Sequence, residues 1–151
     1  MMDEIQLTQV VRQWTDVFAT RSMHDWSRYV KSTGLSMPQF SILMQLHYKG
    51  ACGMSEISER FDVSAAAASQ LVDKLVQAGY IERTEDPSDR LAKLLKLSTN
   101  GSKLVDDGIQ ERYRWMDELT TKLSAAEQTQ ISAALAILTE AARQMDQQKT
   151  A

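Results

Sequence analysis

One stretch of the chain, DVSAAAASQLVDKLVQAG (62–79), carries side chains that could bond to the edges of DNA bases. Gln70 can form two hydrogen bonds to adenine, and the hydroxyl of Ser69 can bond to the edge of any base. The methyl groups of Ala65 and Ala66 can contact the methyl group of thymine. These residue types therefore predict recognition of an A·T-leaning sequence.

The same stretch is predicted to form a helix that Ser64 caps and Gly79 ends. At about 100° per residue, one side of this helix collects the residues expected in the core: Ala68, Leu71, Val72, Leu75 and Ala78. The opposite side presents short or polar residues: Ala66, Ser69, Gln70, Asp73 and Gln77. Small side chains near the start of a helix allow close approach, and a DNA major groove admits a helix in that orientation. Helix propensity is the alternative explanation for the alanines, but it does not explain why the exposed start of the helix carries only short side chains.

Contacts to DNA phosphates would need cations, and the segment between Met54 and Asn100 supplies few of them. This segment holds eight acidic and six basic residues, and the whole chain has a net charge of −3. Because phosphate neutralisation provides most non-specific affinity for DNA, such contacts must depend on where the cations lie. The candidate cations lie on the predicted helix and near a predicted hairpin: Lys74, Arg90, Lys93 and Lys96. A solvated charge run with Glu85 and Asp89 is the alternative for those near the hairpin.

Other kinds of chemistry lack the residues that they would need. The sequence has no Gly-rich phosphate loop, no paired catalytic acid and base, and no Ser–His or Cys–His signature, so no enzymatic activity is predicted. No metal or cofactor is expected, because His24 and His47 are the only histidines and neither has a partner at ligand spacing. Cys52 is the only cysteine and is expected to be a structural or incidental thiol, in preference to a redox sensor. No apolar run is long enough to span a bilayer, and the start of the sequence does not resemble a signal peptide. No membrane contact and a cytoplasmic location are therefore expected.

The pattern before residue 62 predicts three helices. A long amphipathic helix occupies the first third of the chain. A second helix begins after Ser36, with Pro38 in its first turn. A short helix through Ile57 to Phe61 follows, so a turn and the helix at 62–79 complete a helix-turn-helix.

The pattern after residue 79 predicts a hairpin and two more helices. Strand-forming runs at 81–84 and 92–97 flank a polar turn, which indicates a β-hairpin. Helical patterns resume at Thr99, and Ser124 with Glu127 forms a capping box for the last helix. A hairpin directly after a helix-turn-helix makes a wing, so the fold class is mainly α with a small β-hairpin wing.

In this order, the segments resemble the MarR family of winged-helix transcriptional regulators. GLSMPQFSILMQL is similar to the second helix of the family, and MSEISERFDVSAAAASQLVDKLVQAGYIER to its helix-turn-helix. DPSDRLAKLLKLSTNG is similar to its wing and the start of the following helix, and LSAAEQTQISAAL to its last helix. The resemblance implies a single domain at 1–151, a winged helix-turn-helix lobe at 36–100, and dimerisation helices at 1–33 and 101–147.

The resemblance also implies a homodimeric repressor that binds an inverted repeat in double-stranded DNA and is released by a small molecule. Half-site centres are expected about 10 bp apart. The matched positions of the recognition helix are Ala65, Ala66, Ser69 and Gln70, with Ser64 at the phosphate-contacting cap. The matched wing positions are Asp89 and Arg90. The wing of the family usually reads Asp-x-Arg, and Leu91 stands where that arginine would be, so Arg90 is expected to replace it.

A ligand cleft in this family lies between the dimerisation helices and the DNA-binding lobe. The neighbouring segments hold residues that could contact an aromatic or lipophilic effector: Trp14, Phe18, Trp26, Tyr29, Met37, Phe40 and Met44. Aromatic and methionine residues at helical spacing are more often ordinary core, which is the alternative interpretation.

A second function is compatible with the same residues. A winged-helix dimer that has lost DNA binding could use the alanine-rich helix start against another protein. Leu91 and the acidic excess favour this hypothesis, whereas Gln70, Arg90 and the hairpin favour DNA binding. The two hypotheses differ in salt dependence, because only phosphate contacts release counterions.

Overall fold

The computed structural model describes residues 4–89 and 92–149. Within these ranges the elements are α1 (Glu4–Ser32), α2 (Met37–Lys49), β1 (Cys52–Gly53), α3 (Met54–Arg60), α4 (Ala65–Gln77), β2 (Ile81–Glu85), β3 (Lys93–Leu97), α5 (Thr99–Thr120) and α6 (Ala125–Lys149). The predicted fold class, mainly helical with a small β-hairpin wing, is confirmed.

The wing is a three-stranded antiparallel sheet with the order β1-β3-β2. β2 and β3 form the predicted hairpin, with Ile81 opposite Leu97 at one end and Glu85 opposite Lys93 at the other. The third strand, β1, pairs with the other edge of β3 and was not predicted. It is only two residues long, so it offers no alternation of polar and apolar residues from which a strand could be inferred.

The predicted helix ends are formed by local hydrogen bonds. Ser36 caps α2 through a capping box, in which its backbone N–H donates to Oε1 of Gln39 at 2.9 Å. Gly79 follows α4 with a φ of 78°. This left-handed conformation lets the backbone N–H of Tyr80 donate to the carbonyl oxygen of Leu75, which closes the helix and directs the chain into β2.

The core brings the second half of α1 together with α2, the helix-turn-helix, the sheet and the start of α5. The rings of Trp26 and Phe40 meet edge to face, with centroids 4.9 Å apart. Ala68, Val72 and Leu75 bury the inner face of α4 completely. The prediction that Ala78 belongs to this face is wrong: α4 ends at Gln77, and Ala78 is an exposed C-cap.

The chain divides into two compact units, Met1–Tyr113 and Arg114–Ala151. The first unit contains α1 to β3 and most of α5, and the second contains the end of α5 and α6. In the second unit, Glu127 accepts hydrogen bonds from the backbone N–H and the hydroxyl of Ser124, at 2.8 and 2.7 Å. The predicted capping box at the start of α6 is therefore confirmed.

Gly101, in the first turn of α5, allows that helix to approach the start of β2. A Cβ atom at this position would collide with the backbone oxygen of Tyr80 and lie 3.2 Å from the side chain of Leu97. We expect Gly101→Ala to lower the free energy of unfolding by about 1–3 kcal/mol, although alanine is usually the better helix former. Urea denaturation followed by circular dichroism measures this change.

The matched control is Asn100→Ala, because Asn100 is an exposed neighbour in the same turn. This variant should change the free energy of unfolding by less than about 0.5 kcal/mol. Equal destabilisation by the two variants would contradict the explanation by close approach.

Candidate nucleic-acid interface

Helix α4 is held in place by its buried face and by the turn before it. The buried face packs on α2, α3 and β2. In the turn, the backbone N–H of Val63 donates to the carbonyl oxygen of Ser58 at 3.0 Å. Asp62 has a positive φ of 49°, a conformation that aspartate tolerates better than most residues. The orientation of α4 relative to α3 is therefore fixed.

The start of α4 is capped by Ser64, as predicted. The hydroxyl oxygen of Ser64 accepts a hydrogen bond from the backbone N–H of Ala67 at 3.2 Å. The first backbone N–H groups of a helix have no partner within the helix, and they form the positive end of the helix dipole. This end of α4 can therefore attract a phosphate oxygen.

The four alanines at the start of α4 divide between two environments. Ala65 and Ala66 are exposed, Ala67 is half-buried and Ala68 is fully buried. Gln70 is exposed and Ser69 is half-buried. We call the surface formed by Ala65, Ala66, Ser69 and Gln70 the outer face of α4. Its side chains are short except for Gln70, so a flat partner could approach the helix closely.

Ser69 takes part in a network that connects α4 to the wing. Its hydroxyl donates to Oδ2 of Asp73 at 3.3 Å, and Nη2 of Arg83 donates to Oδ1 of the same carboxylate. Arg83 lies on β2 and was not among the predicted site residues. The i, i+4 spacing of Ser69 and Asp73 in the sequence could have indicated the first of these bonds.

The lysines of the hairpin are engaged in ion pairs across the strands. Nζ of Lys93 lies 3.4 Å from Oε1 of Glu85, and Nζ of Lys96 lies 3.2 Å from Oε2 of Glu82. Both pairs join directly opposed residues of β2 and β3. Lys74 is exposed and forms no ion pair with any residue of 4–89 or 92–149. Lys74 can therefore contact a phosphate directly, whereas Lys93 would first have to leave its ion pair with Glu85.

The turn of the wing is built from Asp86, Ser88 and Asp89. Oδ1 of Asp86 accepts from the backbone N–H and the hydroxyl of Ser88, and these bonds lower the pKa of the Asp86 carboxyl. The backbone N–H of Asp89 donates to the carbonyl oxygen of Asp86, and the side chain of Asp89 is exposed. The predicted wing residue Arg90, together with Leu91, lies outside the described residues.

The seven predicted effector residues are not gathered into one cavity of the described structure. Trp26 and Phe40 pack in the core, and Trp14 and Met37 are exposed. Phe18 stacks on Tyr113 with ring centroids 6.3 Å apart. The remaining two residues line different cavities. Tyr29 lines a cavity of about 440 Å³, and Met44 lines a cavity of about 250 Å³.

The cavity beside Tyr29 lies between α1 and α5 and is lined by polar and charged residues. The hydroxyl of Tyr29 donates to the carbonyl oxygen of Leu104 at 2.8 Å. Burial, followed by the charge of Asp107, raises the pKa of Tyr29. The other lining residues are Arg28, Ser32, Asp107, Gln110 and Glu111.

Cys52 is buried in β1, where Nε2 of Gln45 lies 3.9 Å from its Sγ atom. Burial raises the pKa of this thiol, and the nearby carboxylate of Glu56 raises it further. The thiol therefore stays protonated, whereas reactive cysteines are thiolates. Among the residues that the structure describes, no group of three potential metal ligands occurs and no helix is long and apolar enough to cross a membrane.

Comparison with a family model matches residues 35–92 to the MarR family. An uncharacterised HTH-type transcriptional regulator of Bacillus subtilis, YfiV, is 26% identical over 125 residues, which cover 83% of this chain and 78% of YfiV. The matched segment 35–92 contains α2, the helix-turn-helix and β2, which include the outer face of α4.

Solved structures show the same fold. The transcriptional regulator Tm0710 from Thermotoga maritima has a TM-score of 0.78 and 22% identity, and the match covers 91% of this chain and 94% of that one. A mutant of MarR from Escherichia coli in complex with operator DNA has a TM-score of 0.55 and 21% identity, covering 90% of this chain and 98% of that one. Residues 35–92 of the chain therefore match the MarR family, and the chain shares the fold of these solved regulators.

Proposed function

We propose that this protein is a homodimeric repressor that binds an inverted repeat in double-stranded DNA through the outer face of α4. The observation that carries the proposal is the exposed start of this helix, where Ala65 and Ala66 stand beside Gln70 and the capped end of α4. A recognition helix enters the major groove with its N-terminal residues against the base edges. The solved MarR mutant in complex with operator DNA has the same fold, which supports this placement.

Size and hydrogen bonding support groove binding at the outer face. Ala65 and Ala66 bring only methyl groups to the surface, so the backbone can approach thymine methyl groups closely. Gln70 is long enough to reach an adenine and can donate to N7 while accepting from N6. Ser64, at the cap, places its hydroxyl beside the free N–H groups that would bind a phosphate.

The charges of the lobe support DNA binding through a few cations at defined positions. Lys74 is available directly, and the exposed pairs of Lys93 with Glu85 and Lys96 with Glu82 can open at low cost. Opening them would let both lysines contact phosphates. Arg90 is included in the proposal because it is the sequence neighbour of Leu91, which stands where the wing arginine of the family would be.

Dimerisation is proposed from the apolar residues that each terminal helix exposes. In α1 these residues recur at spacings of three and four: Leu7, Val10, Trp14 and Val17. In α6 the corresponding residues are Ile131, Leu135, Leu138 and Met145. Such spacing is typical of helices that pack against other helices, and a second copy of the chain would bury both stripes. A two-fold axis would also pair two recognition helices, as an inverted repeat requires.

Release by an aromatic or lipophilic effector remains part of the proposal. The cavity beside Tyr29 is the strongest support, because its volume of about 440 Å³ is within the range of ligand pockets. Its lining is more polar than the predicted set of aromatic residues, so an effector there would need polar groups as well.

A second candidate function, binding of another protein through the outer face of α4, is favoured by the pairing of the wing lysines. Lys93 and Lys96 are already neutralised by glutamates. A protein partner would not require those pairs to open. Salt dependence discriminates between the two functions, because DNA binding releases counterions.

We expect Lys74 to contribute to binding of the DNA upstream of the protein's own gene. Fluorescence anisotropy at several salt concentrations should show an affinity that falls steeply as salt rises. Lys74→Ala should reduce the slope of log K against log salt by about 1. Lys31→Ala is the matched control, since Lys31 is exposed and forms no ion pair with another described residue. An unchanged slope in Lys74→Ala, or equal losses in both variants, would contradict phosphate contact by Lys74.

The proposed dimer can be tested at the apolar stripe of α6. Sedimentation at micromolar concentration should show a dimer, and Leu135→Glu should weaken the dimer at least about tenfold by placing a charge in the stripe that the dimer would bury. Ile137→Glu is the control, because Ile137 is 72% exposed and lies about 100° around the helix from Leu138. A monomeric wild-type protein, or equal weakening by both variants, would rule out the proposed interface.

A further inference from the structure

We infer that Ser69 recognises its base only as a hydrogen-bond acceptor, because Asp73 and Arg83 fix the direction in which its hydroxyl proton points. The inference rests on the proposed DNA binding and specifies what one residue of the outer face of α4 can read.

The geometry of the network assigns the proton. Oγ of Ser69 lies 3.3 Å from Oδ2 of Asp73, one helical turn further along α4. An ionised carboxylate can only accept hydrogen bonds, so the hydroxyl must be the donor. Nη2 of Arg83 bonds to Oδ1 of the same carboxylate, which occupies its second oxygen and holds the group in place.

The hydrogen bond from Ser69 to Asp73 restricts which bases Ser69 can bind. A serine hydroxyl without a fixed partner can rotate to donate or to accept. Because the hydroxyl proton is donated to Asp73, the oxygen of Ser69 offers only lone pairs to a base. It can accept from the N6 amino group of adenine or the N4 amino group of cytosine, whereas O6 and N7 of guanine and O4 of thymine are acceptors. Ser69 is therefore specific for an amino-bearing base on the strand that it contacts.

The charge of Asp73 supports a role in specificity. An acidic side chain on the exposed side of α4 repels phosphates and reduces non-specific affinity. Arg83, on β2, offsets that charge and anchors the carboxylate. Asp73 and Arg83 are thus positioning residues: they act through Ser69 and need not touch the DNA.

The test compares variants on the DNA duplex that the wild-type protein selects from a random pool. Affinities are measured for duplexes that carry each of the four bases at every half-site position. At one position the wild type should prefer adenine or cytosine over guanine and thymine by about threefold to tenfold. Ser69→Ala should remove this preference. Asp73→Ala should remove it too, while raising the affinity for all duplexes. Arg83→Gln should relax the same position, because the carboxylate loses its anchor.

Glu82→Ala is the matched control for the loss of charge. Glu82 is an exposed acidic residue in an ion pair with Lys96, and within the described ranges it forms no hydrogen bond or ion pair with α4. Its removal should raise the affinity for all duplexes and leave every base preference unchanged. Circular dichroism melting shows that each variant is folded.

The outcomes separate this inference from the proposed function. If the wild type binds a selected duplex but Asp73→Ala and Arg83→Gln keep its base preferences, the inference is wrong and DNA binding stands. A preference for guanine or thymine at the position that depends on Ser69 also contradicts it. If the wild type selects no DNA and shows no salt-dependent binding, the proposed function and the inference are both wrong.

Discussion

The burial of one face of α4 determines what its opposite face can present. Ala68, Val72 and Leu75 are fully buried against neighbouring elements, and burying one large aliphatic side chain contributes about 1.5–3 kcal/mol. A helix is rigid, so anchoring this face orients Ala65, Ala66 and Gln70 without any further contacts. The wing is positioned by the same helix, because Gly79 turns the chain directly from α4 into β2. The candidate interface is therefore a consequence of core packing.

Electrostatics adds a second constraint, which concerns specificity more than affinity. The hairpin lysines are paired with glutamates, and Arg83 is paired with Asp73. Because these cations are paired within the lobe, they contribute little to non-specific binding of DNA. The placement of Lys74 and the polar groups of the outer face of α4 then matter more than the total charge. The same acidic residues would disfavour binding to arbitrary nucleic acid, which suits a protein proposed to act at a few sites.

Much of the fold could be predicted because its signals are local. Ser36, Ser64 and Ser124 mark helix starts through bonds within one turn, and Gly79 marks a helix end through its conformation. β1 could not be predicted, because its two residues become a strand only by pairing with β3. Helical periodicity assigns Ala78 to the core only when it is extended one residue past Gln77, where α4 ends. The bond from Arg83 to Asp73 joins residues on different elements, so it depended on the tertiary fold.

Selection of binding sites from random duplexes shows directly whether α4 binds an inverted repeat in DNA. We expect an enriched, A·T-leaning inverted repeat whose half-site centres lie about 10 bp apart. Enrichment of a G·C-rich or asymmetric sequence would contradict the predicted base contacts and the two-fold arrangement. No enrichment at low salt would contradict DNA binding itself and favour a protein as the partner of the outer face of α4.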